Sequence, residues 1–150
     1  MNHRSTASFG KRQEYIAVAE LLCRGFDVYM TLVDDQQIDC IIRQEKGGRL
    51  RYLDIQIKAR SKDAKQGTTF AALTVRNPRS DFWYIFYSER ANLYWVMPSL
   101  DLVRLANVNK GGINKGKFTI KLASETKTGW KSQPKFSEYE NAFPKLDWTD

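Results

Sequence analysis

Three side chains within a short reach of one another could hold a hard cation beside a phosphate. In Tyr52-Leu53-Asp54-Ile55-Gln56-Ile57-Lys58-Ala59-Arg60 the residue types alternate. Read as a strand, this puts Leu53, Ile55 and Ile57 on one face and Asp54, Gln56 and Lys58 on the other. The apolar face can bury in a core, while the other presents an amide and an ammonium pointing the same way. Seventeen residues before Gln56 stands Asp39, at the start of an apolar run of Ile38, Cys40, Ile41 and Ile42. A carboxylate and an amide oxygen are hard ligands, and a lysine is a counter-charge for an anion next to them.

The chemistry that is excluded narrows the field. His3 is the only histidine, which argues against a histidine-metal nuclease, a zinc hydrolase and a Ser-His-Asp triad. Any catalysis must run on carboxylates, an amide and lysine. Cys23 and Cys40 lie in apolar runs without metal spacing and read as reduced core residues of an intracellular protein. No signal peptide and no membrane-length apolar run is visible, so the expected location is the cytoplasm. The length of 150 residues predicts one domain, and 42% apolar content a globular one.

The net charge of +7 is unevenly spread. Residues 1–57 hold eight basic and eight acidic side chains; residues 58–79 hold six against one, and residues 110–135 seven against one. Two concentrated basic segments in an otherwise balanced chain point to a polyanion surface, against the plainer reading of a solvated lysine-rich face.

Positioning these residues requires a helix and a strand meander. Residues 1–9 read as a loose arm. A helix is expected from Lys11 to Arg24, closed by Gly25. On it Gln13, Ala17, Glu20 and Arg24 share the wet side, while Glu14 lines up with Val18 and Leu21 at the border of the apolar arc. Glu14 is therefore either a site carboxylate or an acidic residue favoured by the helix dipole. Strands follow at 26–32, 38–44 and 49–58, the last two joined by the hairpin Glu45-Lys46-Gly47-Gly48 after a polar turn at Asp34-Asp35-Gln36-Gln37. That hairpin brings Asp39 to the same end of the sheet as Gln56 and Lys58. Beyond it come a mobile basic loop at 59–69, a strand at 69–75, and the aromatic strand Phe82–Tyr87, central because both faces are apolar. Next are a strand at 93–97, a short helix from Pro98 to about Ala106, and a flexible loop at 109–117. A strand at 118–122 and a helix at 137–143 complete the expectation.

The order Glu14, Asp39, Gln56, Lys58 on helix, strand and strand resembles the PD-(D/E)XK nuclease superfamily. The likeness is carried by Gly10-Lys11-Arg12-Gln13-Glu14, Ile38-Asp39-Cys40-Ile41 and Gln56-Ile57-Lys58, and beyond residue 105 it says little. Ile38 stands where the motif has proline, and Gln56 where it has an acidic residue. A Gln-x-Lys form is known in some branches, including a small homing endonuclease with a similar order of motifs. The substitution keeps an oxygen ligand and removes one negative charge.

The resemblance implies an α/β fold with a restriction-endonuclease-like core, a mixed central sheet flanked by helices. It implies Mg²⁺ (or Mn²⁺) held by Asp39, the Gln56 amide oxygen and the Ile57 carbonyl, with Glu14 holding a second ion or a water. Lys58 would orient the attacking water and offset charge in the transition state. The implied reaction is site-specific phosphodiester hydrolysis in double-stranded DNA, of the homing or restriction type, by a symmetric homo-oligomer (dimer or tetramer) if both strands are cut. A Holliday-junction-type resolvase and a non-catalytic DNA-binding module on the same fold stay open as alternatives. Arg60, Lys62, Lys65, Arg76 and Arg79, and on a second segment Lys110, Lys115, Lys117 and Lys121, are the candidate DNA contacts. Trp130 and Trp148 could stack on bases, whereas Trp83 and Trp95 fit a core better.

Overall fold

The computed structural model describes residues 3–33 and 36–149. The side chain of His3 and the Asp34-Asp35 part of the expected turn lie outside the described residues. A long helix α1 (His3–Cys23) precedes strands β1 (Asp27–Met30), β2 (Cys40–Lys46) and β3 (Arg49–Arg60). Then come β4 (Thr69–Leu73), β5 (Phe82–Ser88), β6 (Leu93–Pro98), helix α2 (Ser99–Leu105) and β7 (Asn107–Val108). The chain ends with β8 (Phe118–Lys121), β9 (Ala123–Thr126), β10 (Gly129–Ser132) and two 3-10 helices, Pro134–Tyr139 and Phe143–Leu146.

Among the described residues, five strands form a mixed sheet in the order β1-β2-β3-β5-β6, and β4, β8 and β7 form a smaller sheet. The β2–β3 hairpin is antiparallel, closing at Lys46↔Arg49 around Gly47 (φ 57°) and Gly48 (φ 77°). Positive φ at both central residues is the turn whose twist matches a two-residue hairpin, and it requires residues without a Cβ penalty. Between β3 and β5 the pairing is parallel, because residues 61–81 cross over and bring the chain back in the same direction.

The alternation in β3 and β5 sorts the two cores. Leu53, Ile55, Ile57 and Ile85 face α1 with Ala17, Val18, Leu21, Cys40 and Ile42. On the other face Phe82, Tyr84 and Phe86 pack with Phe70, Leu73, Trp95, Leu102, Ile120 and Phe136 from the small sheet, α2 and the C-terminal segment. The sheet is thus flanked by α1 on one side and by the small sheet with α2 on the other. No helix of the described residues is long and apolar enough to cross a membrane.

Several expectations are corrected. The arm at 1–9 is helical from His3, and its Phe9 is buried, so the helix runs through Gly10 despite the roughly 1 kcal/mol penalty of an internal glycine. The wet side of α1 is misassigned as well: Gln13 and Ala17 are buried, whereas Tyr15, Ile16 and Leu22 are exposed. Apolar residues ring this helix almost evenly, so the inward stripe is set by how it lies on β3 and not by composition. The strands shift by a few residues, and β7, β9 and β10 are additional. The expected C-terminal helix at 137–143 is two 3-10 turns separated by Asn141 (φ 48°), with Pro144 opening the second. Finally, the loop at 109–117 closes on itself, the Asn109 N–H donating to the Lys117 carbonyl at 2.9 Å and the Gly116 N–H to the Asn109 carbonyl at 2.8 Å.

Leu21 lies at 0% exposure between α1 and the sheet. Leu21→Ala is expected to lower the unfolding free energy by about 2–5 kcal/mol through the cavity it leaves, read as a shift of the urea midpoint. Leu22→Ala on the exposed side should cost much less.

Candidate active site

Asp39 stands where the β2–β3 ladder stops. The last paired residues are Cys40↔Ile55. Beyond them the Asp39 N–H donates to the Ile55 carbonyl at 2.8 Å, and the Ile57 N–H donates to Asp39 Oδ2 at 2.6 Å. The carboxylate thus accepts from an amide that has left the ladder, and a charge-assisted bond of this kind contributes about 1.5–3 kcal/mol. Asp39 itself is 6% exposed. The loop leading into it is held by Thr31, whose hydroxyl donates to the Ile38 carbonyl at 2.8 Å and the Asp39 carbonyl at 3.2 Å.

Gln56 follows on β3, on the same face as Asp54 and Lys58 and beside Tyr84 of β5 in register. It is 5% exposed, and its Oε1 is buried without a hydrogen-bond partner. A buried amide oxygen left unpaired is costly, and such atoms mark strain or a ligand position. Asp39 and the Gln56 amide are hard oxygen donors of the kind a small divalent cation takes. Among the described residues no three His, Cys, Asp or Glu side chains converge as a metal cluster. A site here must therefore draw on the amide as well as on carboxylate.

Lys58 is half-buried and lines a cleft of about 320 Å³ with Gln37, Arg60, Phe70, Leu73 and Thr74. Gln37 bridges the cleft's rim: its Nε2 donates to the Thr74 carbonyl at 2.8 Å, and its Oε1 accepts from the Arg76 N–H at 3.1 Å. Arg60 has its guanidinium 5.6 Å from the Phe70 ring, with Nε buried and unpaired. The cleft is thus lined by both cationic and apolar side chains.

Glu14 approaches from α1. It is half-buried and accepts from Lys11 Nζ at 2.8 Å. That bond, then the charge of Glu14 and more weakly that of Asp39, pushes the Lys11 pKa up. Burial, followed by the charges of Asp39 and Glu14, pushes the Cys40 thiol up to about 12. Both carboxylates are thus close enough to the start of β2 for their charge to be felt at Cys40. Ile57 contributes its N–H to Asp39, and its side chain belongs to the α1-side core.

The remaining cations divide by surroundings. Lys62 lines a cleft of about 570 Å³ with Arg4, Arg12, Ser8 and Glu89. Lys65 and Lys121 share a second of about 650 Å³ with Arg90 and Trp130, because β4 pairs with β8 at Thr69↔Lys121. Lys110 and Lys115 are exposed on the loop between β7 and β8, and Lys117 donates to Asn114 Oδ1 at 3.3 Å. Arg76 is exposed. Arg79 differs from the open phosphate contact expected of it: it is paired with Asp54 and, at 3.1 Å, with Asp81, and lies over the Phe82 ring. It clamps the crossover onto β3. Trp95 is fully buried, and Trp148 carries the guanidinium groups of Arg49 and Arg51.

Lys11, Gln37, Arg90 and Tyr84 were not singled out by sequence reasoning. The spacing of Lys11 and Glu14 on one helix was the available signal for the first. Tyr84 required the β3–β5 register, which no local pattern supplies.

No protein-family model and no curated protein sequence matches the chain. Among solved structures it is similar to a bacterial homing endonuclease, I-Ssp6803I, with a TM-score of 0.62 and 21% identity over 95% of this chain and 93% of that one. The mixed α/β architecture with α1 against the central sheet is therefore a fold shared with a nuclease of known structure.

Proposed function

We propose that this chain is a metal-dependent DNA endonuclease that hydrolyses phosphodiester bonds at the Asp39–Gln56–Lys58 end of the sheet. The observation that carries the reading is the placement of a buried carboxylate next to a buried, partnerless amide oxygen at the point where two strands part. The fold shared with a protein named as a homing endonuclease agrees with it.

Asp39 and Gln56 Oε1 would hold Mg²⁺ or Mn²⁺, with the Ile57 carbonyl as a further ligand and Glu14 on the helix side. When bound, the ion supplies Lewis-acid stabilisation of negative charge on the phosphodiester. The protein's own part is positional. The bond from the Ile57 N–H leaves Asp39 one fixed orientation, which removes the entropy of a mobile ligand. Lys58, two residues from Gln56 on the same face, orients the attacking water and offsets the charge that grows on the phosphoryl oxygens. Lys62, Lys65 and Lys121 line clefts of a size to seat backbone phosphates. Arg60, Arg76, Lys110, Lys115 and Lys117 would extend this contact along the duplex, and Arg79 would act through the crossover it clamps. Cutting both strands with one site per chain calls for a symmetric oligomer.

A second reading, a DNA-binding module without cleavage, is favoured by one observation: among the described residues no third carboxylate joins Asp39 in a cluster. The two readings part on a single experiment. Supercoiled plasmid and a four-way junction, incubated with Mg²⁺ or Mn²⁺, should be cut by the wild type. Asp39→Ala and Lys58→Ala should each lose about 10²–10³-fold or more in rate. Binding without cutting on either substrate, with no loss of Mg²⁺ affinity in Asp39→Ala, would leave the binding module. Preference for the junction over the plasmid would identify a resolvase. For the clefts, Lys65→Ala and Lys121→Ala should weaken binding across DNA sequences, and each should reduce the salt slope of log K by about 0.9.

A further inference from the structure

Arg60 is held differently from most arginines of the chain. Arg12, Arg24, Arg43, Arg79 and Arg104 each pair with a carboxylate. Among the described residues Arg60 pairs with none: its guanidinium lies 5.6 Å from the Phe70 ring, and its Nε is buried without a hydrogen-bond partner. The residue is half-buried. A cation taken partly out of water without a counter-ion is costly, and such groups mark places that a ligand completes.

The cleft that Arg60 shares with Lys58 has the same character. Its lining carries two cations and no carboxylate. The cleft of Lys62 holds Asp63 and Glu89, and that of Lys65 holds Glu125. It forms where β3 runs on to Arg60 beyond the end of β2, still paired with β5 on its other side. Backbone strain gathers at the same place. Of the non-glycine residues described with a left-handed backbone, Asn77, Asn92 and Asn141 are of a type that tolerates it. The other two, Gln37 (φ 62°) and Ala72 (φ 55°), both line this cleft. Ala72 belongs to a bulge, since between Phe70↔Ile120 and Leu73↔Phe118 two residues of β4 face one of β8. Strain of this kind persists only where the surrounding structure holds it, and it collects at ligand clamps.

The spacing of the cations names the ligand. Lys58 and Arg60 are two positions apart on one strand face, about 6.6 Å on a regular strand. That is close to the separation of successive phosphates along one nucleic-acid strand. We infer that this cleft is a second phosphate subsite, in which Arg60 takes the phosphate next to the one that Lys58 serves. Because Nε is buried, the terminal nitrogens of the guanidinium make the contact. The assignment rests on the reading of Lys58 as the cation at the scissile phosphate, and it is narrower than a general contact along the duplex. A strand engaged at Lys58 alone could slide by one nucleotide. Holding its neighbouring phosphate as well fixes which phosphodiester lies at Asp39.

The probe is thymidine 3′,5′-bisphosphate, whose two phosphates lie one nucleoside apart, set against thymidine 5′-monophosphate. Both are titrated by calorimetry into the full chain, in chelator and without DNA. The wild type should bind the bisphosphate about tenfold or more tightly, the worth of one further charge-assisted contact. Arg60→Met keeps the stem against Phe70 and removes the charge, so the preference should fall to about twofold or less with that contact gone. Lys131→Ala removes the same charge from an exposed position on β10 and should leave the preference intact. Equal affinities of the wild type for the two nucleotides overturn the subsite without recourse to any variant. A preference that survives in Arg60→Met, or that Lys131→Ala lowers equally, overturns it too. An unchanged melting curve is the expected control for Arg60→Met. No cation and no cleavage enter this measurement, so the nuclease reading is scored apart from it. Plasmid and junction left uncut, with an Arg60-dependent preference, would overturn that reading and leave the subsite to a binding module.

Discussion

The bond from the Ile57 amide to the Asp39 carboxylate is the joint on which this end of the molecule turns. A buried carboxylate is expensive unless its lone pairs are occupied, and a backbone amide leaving a sheet ladder is expensive unless it finds an acceptor. Here each satisfies the other, at 2.6 Å. Because the acceptor is a side chain and not a backbone carbonyl, β2 can end at Cys40 while β3 continues to Arg60. That extra length carries Lys58 and Arg60 past the end of β2 and into the cleft. The loop before Asp39 is tied down from the same region, through Thr31 on one side and Gln37 on the other. Loss of this joint would therefore loosen Asp39, Lys58 and the rim together.

The crossover between β3 and β5 does the second half of the work, by turning a charge distribution along the chain into one on a surface. The basic segments 58–79 and 110–135 are far apart in sequence. β4 lies in the first and β8 in the second, and their antiparallel pairing places Lys121 opposite Thr69. Lys65 and Lys121 thereby come to one cleft with Trp130 at its side. The loop that holds Lys62 and Lys65 is pinned from the β5–β6 turn: Arg90 donates to the Lys62 carbonyl at 2.8 Å and to the Ala64 carbonyl, and the Lys62 N–H donates to Glu89 at 2.8 Å. A segment read as a mobile loop is thus held at both carbonyl and amide.

How far this was legible depends on whether the signal was local. The hairpin was, because Gly47-Gly48 between two alternating runs admits few other structures, and with it came the approach of Asp39 to Gln56 and Lys58. The aromatic strand at 82–88 was legible for the same reason, as a run apolar on both faces. The face of α1 was not. With Tyr15, Ile16 and Leu22 scattered among Ala17, Val18 and Leu21, several faces carry comparable apolar weight, and only docking on β3 decides that Gln13 goes inside. The C-terminal segment misled because its helical spacing carries Asn141, which adopts a left-handed backbone, and Pro144, which cannot continue a helix. Arg79 illustrates the deepest limit: Asp81 is two residues away, but Asp54 sits on β3, and only the parallel register brings that carboxylate to it and makes it a clamp.

Glutamine at position 56 makes sense in terms of charge. Two carboxylates side by side at about 5% exposure would repel, and one would take up a proton unless a cation were always present. With an amide in that place Asp39 is the charge to be balanced there, and the Ile57 N–H takes up part of it. On the proposed reading the folded chain would depend less on a bound cation for its stability, and would repel an incoming phosphate less. The cost falls on ligand strength, since a neutral oxygen attracts a divalent ion less than an anionic one, and on orientation, since an amide has a wrong end. Both costs are reduced by neighbours that fix the side chain, and β5 lays a buried aromatic ladder of Phe82, Tyr84 and Phe86 directly against β3. Gln56 is thus to be read with the strand beside it: the sheet supplies in rigidity what the neutral side chain lacks in charge.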